Sequence, residues 1–307
     1  MSRAVLITGA TGKQGGAVVK SLVQAKADFT ILAITRDPGS PAAQKLKASA
    51  PNISLVQGDL SDAQAIFTNA KKVAPGPIWG VYSIQNPMEK GQTVNIEVQQ
   101  GKALIDASLL NGVKHFVYSS VDRGGEKRSF ENPTPVPHFA SKHKVEQYLL
   151  EKTSCGSMGW TILRPAGFMD NYVPGSMAKV FFTAWKVAIN KDRPLQLIAC
   201  ADIGHFSAQA LMNPDKYRGR AISLAGDELT FDQAAAVFKH KIGSDMPTTY
   251  GVVGSLTLWA LNDIGIMFKW MDSEGFGANV EELRGEYPGM IDFGTYLEKY
   301  SGYSRKQ

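Results

Sequence analysis

Apolar and polar positions alternate between two rhythms along the first half of the chain. Short apolar runs rich in β-branched residues recur at 4–7, 29–34, 53–57, 78–83, 113–119 and 160–163. They read as buried strands. Between them lie polar-faced stretches near 17–26, 41–49, 61–72, 89–111 and 138–152, which predict helices. Strands that alternate with helices predict right-handed βαβ units, hence a doubly wound parallel sheet with helices on both faces. Past residue 165 the rhythm changes. Helical stretches dominate near 175–190, 205–212, 230–243, 252–268 and 293–300, with short strand signals at 195–198 and 221–224. The expected organisation is an α/β core over 1–165 and a smaller, mostly helical C-terminal lobe over 166–307. Segments near 195–200 and 221–225 are expected to rejoin the core sheet, and the crevice between core and lobe is the expected ligand site.

The first apolar run breaks into Gly9-x-x-Gly12-x-x-Gly15, and helix-forming residues follow. Glycine serves such a turn in three ways. It tolerates positive φ, lets a ligand approach the backbone, and lets the helix pack against the strand. The N–H groups and the helix dipole then suit a pyrophosphate, which nominates Gly9, Thr11, Gly12, Lys13, Gln14 and Gly15. The second strand ends at Thr35-Arg36-Asp37. An acidic residue here favours a free ribose 2′-OH, whereas an arginine matches a 2′-phosphate. Arg36 therefore favours NADP(H) over NAD(H), with Lys13 adding nearby positive charge; Asp37 on the ribose is the competing reading. After the third strand, Asp59 is placed to accept from the adenine amine and Leu60 to lie against the ring, with Ser61 or Asp62 as the next helix cap. Ser83 and Gln85, in the loop that runs to Pro87, stand at the fourth strand's carboxyl end.

Composition removes other classes. The formal charge is +5, but Lys and Arg are scattered, with only short clusters such as 125–128. That is a solvated surface, not a nucleic-acid stripe. Cys155 and Cys200 form neither a metal spacing nor a disulfide framework, so reduced thiols in the cytoplasm are expected. The first strand begins almost at Met1, where a leader would otherwise be sought. The apolar stretch 252–268 is interrupted by Asn262 and Asp263, which suits a core or interface helix better than a membrane span. The five histidines show no metal-site spacing, and no Ser-His-Asp or Cys-His arrangement stands out. Nothing marks an oligomer interface.

Several motifs occur in order: the glycine turn, Gly58-Asp59-Leu60, Tyr118-Ser119-Ser120, His138-Phe-Ala-Ser-Lys142-x-x-x-Glu146, Arg164-Pro165, Asp202-Ile203-Gly204 and Tyr287-Pro288-Gly289. Together they resemble the NmrA-like family, an atypical branch of the short-chain dehydrogenase/reductase superfamily, from residue 5 to about 297. The resemblance implies a Rossmann core that binds NADP(H) or NAD(H). It also implies one of two roles, a redox-sensing transcriptional regulator or an NADPH-dependent reductase of quinones, aromatic ethers and other small molecules.

Many members of that superfamily use a Tyr-x-x-x-Lys pair, in which the lysine binds the nicotinamide ribose and the tyrosine passes a proton to substrate. Here His138 stands where the tyrosine would, four residues before Lys142 and so on the same helical face. A histidine with a pKa near 6.5 is a competent general acid. The alternative is a helix-start residue whose direction is set by Pro135-x-Pro137. Lys142 is expected to bind ribose and supply a proton, unless it is an exposed helix lysine like Lys144. Ser119 ends the fifth strand, where it would either orient a substrate carbonyl or cap the strand; Tyr118 faces the core. The segment after the sixth strand should pass the nicotinamide, with Pro165 shaping the backbone. Phe168, Met169 and Tyr172 are either an apolar wall for a planar substrate or core, and Trp259, Phe268 and Trp270 are candidates to complete that pocket.

The expected function is an NADP(H)-dependent reductase of a small planar or aromatic carbonyl, imine or quinone, with Lys142, His138 and Ser119 as its chemistry. The alternative is a non-catalytic NAD(P) sensor that regulates a protein partner, which would add a nuclear location. Neither reading requires direct DNA or membrane contact.

Overall fold

The computed structural model describes residues 3–86, 91–249 and 262–305. Seven strands form the main sheet in the order β3-β2-β1-β4-β5-β6-β9. They are β1 (Arg3–Ile7), β2 (Phe29–Thr35), β3 (Ile53–Gln57), β4 (Ile78–Ser83), β5 (His115–Ser119), β6 (Gly159–Pro165) and β9 (Arg220–Leu224). β1 through β6 pair in parallel, with registers such as Val5↔Ile31 and Tyr82↔Val117. Ala4, Val5, Leu6 and Ile7 are fully buried, as expected for a central strand covered on both faces. The strand order reverses between β1 and β4, and ligands of such sheets bind outside the carboxyl ends at that point.

Helices connect the strands: α1 (Lys13–Gln24), α2 (Pro41–Ala48), α3 (Ala63–Val73), α4 (Val94–Leu110) and α5 (Pro137–Thr153). Their starts follow capping chemistry. Ser40, Asp62 and Thr93 each accept a hydrogen bond from a first-turn N–H, so Asp62 rather than Ser61 is the cap of α3. α1 begins four residues earlier than the apolar pattern suggests, because Gly15 and Gly16 are helical. Residues 87–90, and with them Pro87 and the expected start of a helix at 89, lie outside the described residues.

The chain divides into two compact units. Unit 1 comprises Met1–Ser120, Ser141–Leu163 and Ile203–Ile222; unit 2 comprises Val121–Ala140, Arg164–Asp202 and Ser223–Gln307. The division is interleaved at other places than the expected core over 1–165 and non-contiguous lobe over 166–307: Val121–Ala140 belongs to unit 2 and Ile203–Ile222 to unit 1. Unit 2 holds a second sheet, in which β8 (Leu195–Ile198) lies between β7 (Gly167–Phe168) and β10 (Asp227–Leu229). This corrects one expectation. The strand near 195 does not rejoin the main sheet, because its two edges are taken by β7 and β10; the strand near 221 does, as β9.

The remaining helices among the described residues are α6 (Ser176–Ala188), α7 (Cys200–Met212), the single turn α8 (Pro214–Tyr217), α9 (Phe231–Ile242), α10 (Asn262–Ser273), α11 (Val280–Glu286) and α12 (Phe293–Lys299). Only the later part of the expected 252–268 helix falls within the described residues, as α10. The core of unit 2 is aromatic: Phe182, Trp185, Phe238, Phe268, Trp270 and Tyr296 are all buried in it. Two of the sequence motifs are explained by a bond within this unit. Asp202 accepts from the Ile291 N–H at 3.0 Å, which ties the start of α7 to the chain just after Tyr287-Pro288-Gly289. Burial pushes the Asp202 carboxyl up to about 7, with the Ile291 N–H and Arg284 opposing.

Candidate functional site

The carboxyl ends of the unit 1 strands carry most of the nominated residues. At the end of β1, Thr8 is buried and its Oγ1 accepts from the Ile84 N–H at 2.8 Å, joining the β1 and β4 ends. Gly9 follows with φ +60°, a left-handed conformation that glycine adopts freely. The Gly12 N–H donates to the Gly9 carbonyl at 2.9 Å and closes the turn. Gly12 is also the N-cap of α1, and no side chain caps this helix or places an acid in its first turn. A Cβ at Gly15 would lie 2.3 Å from Gly9 O and 2.5 Å from Thr8 O, so the helix packs backbone to backbone against the turn. The result is a backbone cradle at the positive end of a helix dipole, which fits a phosphate.

Thr11 and Lys13 are exposed around the cradle. Gln14 turns inward instead. Its Oε1 accepts from Ser119 Oγ at 2.8 Å and from Tyr82 OH at 3.4 Å. Ser119 is therefore buried against the glycine turn, with its hydroxyl engaged there; Ser120 and Tyr118 are buried beside it in sequence. Tyr82 is a contributor that the sequence reading missed. Nothing local marks it, since its partner is 68 residues away.

At the end of β2 the side chains of Arg36 and Asp37 part. The Asp37 carboxylate accepts from the Gly39 N–H at 2.8 Å in a local turn. Arg36 is exposed. Asp59, at the end of β3, accepts from the Ser61 N–H at 2.8 Å. Hydrogen bonds from Ser61, then the charge of Arg36, hold the Asp59 carboxyl below its ordinary range. Arg36 and Asp59 thus face each other electrostatically across neighbouring strand ends, with Leu60 half-buried alongside. At the end of β4, Gln85 Nε2 donates to Ser83 Oγ at 2.9 Å, and both residues are buried.

Lys142 lies on α5 and is largely buried, its side chain 12% exposed. Its Nζ donates to Glu97 Oε1 at 2.8 Å. Glu97, on α4, is a second residue that the sequence reading missed, because on its own it reads as a surface charge on a polar-faced helix.

In unit 2, His138 stands in the first turn of α5, half-buried, its ring edge-on to Phe139 at 4.8 Å. The lead-in contains Thr134 at φ +60°, a strained setting for a β-branched residue between prolines. Phe139 packs against Trp270 at 5.4 Å. Pro165 is buried and its carbonyl accepts from the Asp122 N–H at 3.0 Å. Phe168 is half-buried, whereas Met169 and Tyr172 are core residues; the Tyr172 ring lies against Phe182 at 4.6 Å, tilted by 37°. Phe268 and Trp270 are likewise core and offer no free wall, and Trp259 lies outside the described residues. Asp122, also missed, is fully buried. It accepts from the N–H groups of Gly124, Gly125 and Gly277 and from the hydroxyls of Ser129 and Ser223. A cavity of about 220 Å³ within this unit is lined by Arg193, Leu195, Gln196, Met271 and Phe276 among others.

A model of the NmrA-like family matches residues 1–285. The chain belongs to the NmrA-like family. Among its relatives is the NmrA-like family domain-containing oxidoreductase FrzB of a Cladobotryum species, 27% identical over 79% of this chain and 74% of that protein. Solved structures of similar fold include the following two. The first is NmrA, a negative transcriptional regulator, in complex with NADP, with a TM-score of 0.74 at 21% identity over 98% of this chain and 96% of that one. The second is the Citrobacter triphenylmethane reductase complexed with NADP(H), with a TM-score of 0.72 at 16% identity over 97% and 99%. No helix among the described residues of this NmrA-like chain is long and apolar enough to cross a membrane. No group of three or more potential metal-binding side chains occurs among them either.

Proposed function

We propose that this NmrA-like protein is an NADP(H)-dependent reductase of a small planar or aromatic carbonyl, imine or quinone. The observation that carries the reading is the pairing of the uncapped Gly12–Gly15 cradle with an exposed Arg36, while the neighbouring Asp37 carboxylate is turned onto its own loop. A carboxylate free at that position would favour NAD(H); a guanidinium suits a 2′-phosphate. The oxidoreductase relative and the NADP complexes of the two similar folds support the same reading.

In this reading Gly9, Thr11, Gly12, Lys13, Gln14 and Gly15 hold the pyrophosphate, and Arg36 the 2′-phosphate. Asp59 and Leu60 hold the adenine, and Ser83, Gln85, Pro165 and Phe168 line the path of the remainder. The bound cofactor would supply a hydride. The Lys142 ammonium binds the ribose and donates a proton to the substrate oxygen or nitrogen as charge develops there, with the His138 imidazole as a second donor. Ser119 serves by bonding Gln14 and so steadying the phosphate turn, a different part from orienting a carbonyl. The half-buried Phe168 presents an apolar face to a planar substrate.

The sensor reading draws on one observation, a histidine where the superfamily's tyrosine would stand. One experiment separates the two. The purified protein is titrated with NADPH, NADP⁺ and NADH, then NADPH consumption is followed over a panel of quinones, imines and aromatic ketones. Preferred NADPH binding with turnover that falls in Lys142→Ala is the expected result. Tight binding with no turnover on any compound would favour the sensor, and absence of nucleotide binding would defeat both.

A further inference from the structure

We infer that Glu97 is a positioning residue for Lys142, fixing the ammonium that meets the cofactor ribose. The inference rests on the cofactor reading above. Glu97 stands in the first turn of α4, whose N-terminus is capped by Thr93. Its side chain is fully buried. Oε1 accepts from Lys142 Nζ at 2.8 Å, and Oε2 accepts from the hydroxyl of Ser141, the preceding residue on α5. One helical turn further along both helices, Gly101 faces Val145, and a Cβ on Gly101 would lie 2.7 Å from Val145 Cγ2. Further still, Tyr148 OH donates to Asp106 at 2.9 Å. A glycine thus lets α4 approach α5 closely, and that approach brings Glu97 within reach of Lys142.

Stability alone is a poor reason for this pair. Burying two charges is expensive, and a well-packed apolar pair often holds two helices equally well or better. What a carboxylate adds is direction. A lysine has a flexible four-carbon stem and three N–H donors. Glu97 takes one donor, so the ammonium has a set place and the remaining donors a set aim. Two ribose hydroxyls, or one hydroxyl and a substrate oxygen, are what such an arrangement would recognise.

The test is a double-mutant cycle on NADPH affinity, read by nicotinamide fluorescence with the melting temperature recorded in parallel. Glu97→Gln keeps the shape and removes the charge; it is expected to weaken NADPH binding about tenfold while the protein stays folded. On a Lys142→Met background the same substitution should change the affinity less than twofold, because its effect passes through the lysine. Combined with Arg36→Ala it should remain tenfold. If the Lys142 variant does not fold, Gly101→Ala replaces it, and pushing α4 away from α5 should weaken NADPH binding without altering either charge. Unchanged affinity in Glu97→Gln, an undiminished effect without Lys142, or unchanged affinity in a folded Gly101→Ala overturns the inference. Wild-type protein that binds neither NADPH nor NADH overturns the cofactor reading first, and this inference with it.

Discussion

Gly15 offers the sharpest perturbation of the phosphate cradle. In Gly15→Ala the new Cβ would lie 2.3 Å from Gly9 O, 2.4 Å from Gly9 C and 2.5 Å from Thr8 O. Ordinary contact begins near 3.4 Å, so α1 and the turn must separate by about 1 Å. No rotamer change relieves the clash, because all three atoms are backbone. Overpacking costs about 1–3 kcal/mol, and a backbone clash belongs at the upper end. For a protein of this size that is a fall of roughly 3–5 °C in Tm. Binding should suffer separately. A hydrogen bond to a charged group contributes about 1.5–3 kcal/mol, so losing a single N–H from the cradle weakens NADPH tenfold or more. The assay is thermal melting with and without NADPH, together with a direct titration. Gly285→Ala is the control: it lies in α11, meets nothing within 4 Å, and should stabilise by about 0.5–1 kcal/mol. If Gly15→Ala bound NADPH within twofold of wild type, the cradle would not be the phosphate site.

Two further predictions concern charge. Arg36→Ala should weaken NADPH at least tenfold and NADH less than twofold, by isothermal titration of both; equal losses would remove the 2′-phosphate contact. His115 at the start of β5 gives a pH signature. Thr161 Oγ1 donates to the Tyr217 carbonyl at 2.8 Å, so it accepts from His115 Nε2 at 3.0 Å. Nδ1 is buried without a hydrogen-bond partner. Burial, then the nearby charge of Arg218, lowers the His115 pKa from 6.5 to about 4. The unfolded chain therefore binds a proton that the folded chain refuses between those values. The resulting stability is complete above pH 6.5 and disappears as pH falls towards 4, an effect of ~3 kcal/mol at about 1.4 kcal/mol per pH unit. Urea unfolding at pH 7 and 4.5 should show a steeper loss in wild type than in His115→Gln; parallel losses would refute it.

The strands of the main sheet were legible because each is an apolar run bounded by turn residues, and a strand buried on both faces leaves that mark in any sequence. The partner of a strand leaves no such mark. Leu195–Ile198 reads as a strand, but only the three-dimensional arrangement assigns it to β7 and β10. Elements of two or three residues, such as β7 and β10, are too short to show a period. The form of the glycine turn was legible because its backbone chemistry is local. Glu97 was not, since its meaning depends on a lysine 45 residues later, and neither was Asp122, whose ligands reach as far as Gly277. Met169 and Tyr172 carry the same composition whether they line a pocket or fill a core, and only their burial decides between the two.

The interleaved path of the chain bears on the order of events during synthesis. Residues up to Ser120 can pair five parallel strands as soon as they emerge, but the next twenty belong to unit 2, whose remaining parts lie beyond Arg164. The edge strand β9 arrives only at Arg220–Leu224, and the last segment of unit 2 begins at Ser223. Neither unit is therefore complete before Ile222 has been made. A fragment ending at residue 165 would present an unprotected β6 edge, the kind of surface that recruits other chains. A chain that stops there holds six of the seven strands and lacks only β9, the strand that covers the β6 edge, so early termination releases a nearly whole sheet with one sticky side.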